Sequence, residues 1–160
     1  MTRVLVVVNQ TVGSLALKEA LLERHRAGAV FHVVVPTTGS SELERLAALC
    51  CDPLGGPMAV IPELRDEESP EQRASQRLGE QLALLAGIGA TATGELGDED
   101  PIAAVKAALL RWPADEVVLS TLPAGLSRWL ALDLPRRLAR RCGLPVATVV
   151  AGTTGVPTSA

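Results

Sequence analysis

Aromatic side chains are almost missing from this sequence: no Tyr, one Phe and two Trp, 2% of 160 residues. A surface that stacks nucleic-acid bases on rings is therefore not expected, and Val, Leu and Ala must build the core. Long apolar runs are missing too. The one that opens the chain, in "MTRVLVVVNQ", stops at Val8. It is too short for a signal peptide's apolar segment or a membrane span, so a cytoplasmic protein without membrane contact is expected. No excess of positive charge marks a nucleic-acid or anionic-membrane partner, because net charge is −3 with both signs scattered. The three cysteines include the neighbours Cys50 and Cys51 and form no CxxC pair, which excludes a disulfide framework or a zinc site.

Reaction centres are equally scarce. The sequence has no GxxxxGK[ST], no GxGxxG after its first apolar run and no HExxH. His25 and His32 lack a nucleophile or carboxylate at a telling spacing, so His32, inside an expected strand, reads as structural. Asp66, Glu67 and Glu68 read as a solvated loop rather than metal ligands. Neither catalysis nor a resident metal is expected.

What is present is an alternation of apolar runs and helical patterns, the mark of repeated strand–helix units. "RVLVVV" (3–8) and "VFHVVVP" (30–36) are β-branched runs of the kind that strands covered on both faces require. Between them, Ser14 and Gly28 bracket a helix on which Leu17, Ala20, Leu21 and Arg24 recur at helical spacing. Further helices are expected over 40–51, 69–89, 98–113 and 134–142. The remaining strands fall at 90–97, 115–121 and 144–151. Residues 37–68 form a variable insertion with a turn cluster at "DPLGGP", and 152–160 reads as a flexible tail on a single domain spanning 1–151.

Right-handed crossovers then give an α/β fold: a doubly wound parallel five-stranded sheet, order 3-2-1-4-5, with helices on both faces. Ligands of such sheets sit where the winding reverses, here between Val8–Gln10 and Ser120–Leu122.

"DEVVLSTLPAGLSRWLALDLPRRLARRCGLPVATVV" resembles the last third of the universal stress protein family, most specifically at "GLSR" (125–128) and "GLPV" (143–146). "RVLVVVNQTVGSLALKEAL" and "GDEDPIAAV" also look like that family's first unit and third crossover. The resemblance implies a stress-response or regulatory module, with nucleotide held in ATP-binding members by a G-x2-G-x9-G-[S/T] loop. Anchored on those two matches, the three loop glycines fall on Leu119, Leu122 and Leu132, and the terminal hydroxyl residue on Asp133. The family's aspartate at the end of the first strand falls on Asn9.

Leucine restricts the positive φ that glycine permits and adds a bulky side chain. A carboxylate about 4 Å from a phosphate costs on the order of 4 kcal/mol at an effective dielectric near 20, about a thousandfold in affinity. The resemblance thus implies a non-catalytic module from which tight ATP or ADP binding has been lost, acting by dimerisation and contact with an unknown protein partner. The alternative is a small-ligand or adenine-nucleotide-binding module using Asn9, Gln10, Thr11, Ser120, Thr121, Gly125 and Ser127.

Leu122, Leu126, Leu130, Leu132 and Leu134 are expected to pack, and Asp133 to cap the following helix. Arg128, Arg136, Arg137, Arg140 and Arg141 read as a solvated face. The uncharged edge strand "PVATVVA" suits a homodimer through residues 144–151.

Overall fold

The computed structural model describes residues 1–8, 14–37, 69–123, 132–151 and 158–159. Five parallel strands, β1 (Arg3–Val8), β2 (Val30–Pro36), β3 (Ala92–Gly97), β4 (Glu116–Thr121) and β5 (Val146–Val150), lie in the expected order 3-2-1-4-5. Four helices connect them among the described residues: α1 (Leu15–Arg26), α2 (Pro70–Gly87), α3 (Pro101–Arg111) and α4 (Leu134–Cys142). The sequence reading placed every one of these elements, with ends differing by up to three residues. The helix expected over 40–51 and the pair Cys50–Cys51 lie outside the described residues.

Local chemistry sets the helix starts. Ser14 Oγ accepts from Leu17 N–H at 3.2 Å, and Asp100 Oδ1 accepts from Ile102 N–H at 3.2 Å. Ser69 and Gln72 form a reciprocal capping box ahead of Pro70.

Val4–Val8 are wholly buried, as a strand covered on both faces must be. One core layer sets Val4, Val6, Val8, Phe31 and Val33 against Leu17 and Leu21 of α1 and Ala74 and Leu85 of α2. The other sets Leu5, Val7, Val34, Val117 and Leu119 against Ile102, Val105 and Ala108 of α3 and Leu134 and Leu138 of α4. At Gly94 the α2 helix comes so near β3 that a Cβ would stand 2.5 Å from Leu78 Cδ1 and 3.0 Å from the Val33 carbonyl oxygen. A side chain there would require Leu78 to move and the Val33 carbonyl to give. Arg24 fixes α1 to β4: its Nε donates to Glu116 Oε2 at 2.9 Å and its Nη1 to the Ala20 carbonyl at 3.0 Å.

One element was not foreseen. Thr158–Ser159, within the stretch read as a tail, forms β6, antiparallel to β5 with Ala147 opposite Ser159 and Thr148 opposite Thr158. Two polar residues carry no periodicity by which a sequence could announce a strand.

Candidate functional site

A parallel sheet with crossover helices gathers strand ends and helix starts at one rim. Here α1 follows the carboxyl end of β1 and α4 follows that of β4, so both helices begin on the side of the sheet where the winding reverses. Val8 pairs with Ser120, which sets the ends of β1 and β4 side by side.

Ser120 and Thr121, both expected at this rim, are buried at 0% and 3% exposure. Strand alternation turns Ser120 toward the α1 layer and Thr121 toward the α4 layer. Thr121 Oγ1 donates to the Leu122 carbonyl at 3.3 Å, and the Thr121 carbonyl accepts from Ala151 N–H at 2.9 Å. Leu122 is buried beside them. The remaining ligand candidates, Asn9, Gln10, Thr11, Gly125 and Ser127, lie outside the described residues, as do Leu126, Arg128, Trp129 and Leu130.

The four positions matched to the nucleotide loop separate into two kinds: Leu119 and Leu122 within and just after β4, Leu132 and Asp133 just before α4. Leu119 is not on a loop. It sits inside β4, paired with Val7 on one side and Thr148 on the other, its side chain wholly buried against α3 and α4. Its strand continues for two more residues, to Thr121.

Leu132 and Asp133 stand at the opposite end of the crossover, and both correct the sequence reading. Leu132 was expected to pack but is 52% exposed. A single leucine between the loop and a helix start has no period to assign it to a face. Asp133 occupies the N-cap position of α4, yet its side chain makes no capping hydrogen bond. Its backbone is left-handed, φ 52° and ψ 37°, instead of the extended conformation of a capping residue. The carboxylate faces water, 3.9 Å from the Arg136 guanidinium. Screening at such a position brings its repulsion of a phosphate toward about 1 kcal/mol rather than the 4 kcal/mol of a less solvated pair.

The chemistry of the described rim is hydroxyl, backbone amide and one exposed carboxylate. No group of three or more His, Cys, Asp or Glu able to hold a metal occurs among the described residues. Nor is any described helix long and apolar enough to cross a membrane.

His32 is held as structure, away from this rim. Its Nδ1 lies 2.7 Å from Thr93 Oγ1, its ring stacks on Trp112 with centroids 5.3 Å apart, and its Nε2 is 3.4 Å from Glu95 Oε1. Arg111 closes the group by donating to Glu95 at 3.1 Å through Nε. Burial opposes ionisation of Glu95, but Arg111 and His32 beside it outweigh that and hold its carboxyl below the ordinary range. Sequence reasoning missed this group; its one signal was an acidic residue inside the otherwise small, neutral strand "ATATGELG". Burial pushes the Cys142 thiol up, away from reactivity.

No protein-family model matches the sequence, and no curated protein does either. Solved structures do. A universal stress protein family protein from Arabidopsis thaliana with AMP bound is 14% identical, with a TM-score of 0.60 over 96% of this chain and 94% of that one. A universal stress protein in complex with cAMP is 20% identical, with a TM-score of 0.56 over 92% of this chain and 96% of that one. A deacetylase of teicoplanin biosynthesis reaches 0.51 at 11% identity, over 92% of this chain but 69% of that one. The chain is thus a doubly wound parallel α/β protein. Its fold is that of the universal stress proteins.

Proposed function

We propose that the chain is a non-catalytic module built on the universal stress protein scaffold, without tight ATP binding, that acts in stress response or regulation through self-association and protein contacts. Leu119 carries this reading. A loop glycine holds phosphate by offering a free backbone N–H at close approach. The backbone at position 119 lies within the sheet between two strands, and its side chain fills the core beneath α3 and α4. The Asp133 carboxylate adds a second, weaker obstacle at the end of α4 that would otherwise attract an anion.

Isothermal titration with ATP and with AMP tests the reading. Dissociation constants weaker than about 0.1 mM, less than about 5.5 kcal/mol of binding, are expected for both. Micromolar binding of either would replace it with the alternative, an adenine-nucleotide module that uses Ser120 and Thr121. The AMP and cAMP named with the two structural neighbours favour that alternative.

Self-association is assigned to β5, the uncharged outermost parallel strand. The dimer displaces β6, whose pairing with β5 extends over only Ala147 and Thr148. Light scattering at micromolar concentration is expected to give twice the chain mass of 16.7 kDa. A monomer mass at every concentration up to the solubility limit would remove the dimer from the proposal.

A further inference from the structure

We propose that the outer face of α4 is a docking surface for a carboxylate-rich polypeptide segment. The nine residues Leu134–Cys142 contain four of the chain's 15 basic residues and none of its 18 acidic ones. Arg136, Arg137, Arg140 and Arg141 fall at i, i+1, i+4 and i+5, which at 3.6 residues per turn places them on one side of the helix. All four are exposed, while Leu134, Pro135 and Leu138 on the opposite side are buried. Asp133 stands 3.9 Å from Arg136, and no carboxylate among the described residues pairs with Arg137, Arg140 or Arg141.

Helix stability does not account for this arrangement. Arg140 and Arg141 lie in the last turn, where cations favour the dipole, but Arg136 and Arg137 lie in the first, where they oppose it. The pairs Arg136/Arg140 and Arg137/Arg141 also repel as like charges one turn apart. No described residue offsets either cost, and a face kept at such a cost fits an anionic partner.

The chemistry selects that partner. Guanidinium forks bind carboxylates in pairs, and two rows of them one turn apart match acidic side chains spaced along an extended or helical segment. Half-exposed Leu132, at the same end as Asp133 and Arg136, offers an apolar contact that a polypeptide can use. A membrane is disfavoured, because the apolar face of α4 is committed to the core and cannot insert. Nucleic acid is disfavoured as well. The helix carries no Ser, Thr, Asn, Gln or aromatic residue to read or stack a base.

Fluorescence anisotropy with a dye-labelled peptide of alternating Glu and Leu tests this. The unmodified protein is expected to bind it. Arg137→Glu with Arg141→Glu is expected to weaken binding by at least about tenfold, and raising NaCl from about 0.05 to about 0.5 M to abolish it. Arg→Gln at the same two positions provides the same loss with less charge change should the glutamate pair disturb folding. Absence of peptide binding overturns the proposal. So does binding that neither pair of substitutions alters, or an oligonucleotide or phosphatidylserine vesicle that displaces the peptide from the arginine face at lower concentration.

Discussion

Leu119→Gly is expected to lower the unfolding free energy by about 4 kcal/mol and to leave ATP affinity unchanged. The magnitude follows from the core: truncating a buried leucine costs about 2.7–5 kcal/mol, and glycine in a strand interior adds about 0.5–1 kcal/mol. Leu119 is wholly buried in a layer formed with Leu5, Val7, Val105 and Leu138. Restoring the residue that a phosphate loop needs therefore opens a cavity instead of a binding site. Exposed Leu132 is the contrast. Leu132→Gly should change stability by no more than about 0.5 kcal/mol, as surface substitutions usually do. Urea unfolding of both variants, read beside calorimetry with ATP, separates the two cases. A cost below about 1 kcal/mol at position 119 would show that the leucine is not core. A gain of ATP affinity there would refute the account of lost binding.

The same residue marks how far the sequence could be read. Apolar runs rich in valine at 4–8 and 33–35, helical spacing from Leu17 to Leu21, and the glycines that close α1 and α2 were enough to set five strands in order. Local signals of this kind fix elements, because propensity, caps and turns act over a few residues. They also brought Ser120 and Thr121 to the expected rim. They also carried β4 through Leu119 to Thr121, as the structure has it, but not the register that sets it against Val7 and Val8 on one side and Thr148, Val149 and Val150 on the other, because pairing joins residues far apart in sequence. Arg24 and Glu116 meet across 92 positions, and no local pattern links them. Asp133 looked like a cap by residue type alone, and only its left-handed backbone turns the side chain away from that task.

Gln81 is the other position where type and place disagree, and there the expected effect is a gain. Helical spacing puts it on the inner side of α2, seven residues after Ala74 and four before Leu85, both wholly buried. Gln81 is wholly buried too, and neither its Nε2 nor its Oε1 has a hydrogen-bond partner among the described residues. An amide taken out of water without compensation costs about 1–3 kcal/mol. Methionine has nearly the same length and shape and no such groups to satisfy. Gln81→Met should thus raise stability by about 1–3 kcal/mol, and for a domain of this size each kcal/mol raises Tm by about 2–4 °C. Calorimetric melting checks the sign directly. A lower Tm would mean that the amide is satisfied in solution, by water or by another part of the chain, and that α2 carries glutamine there for its polarity. A higher one would make Gln81 a site where stability has been given up in the core.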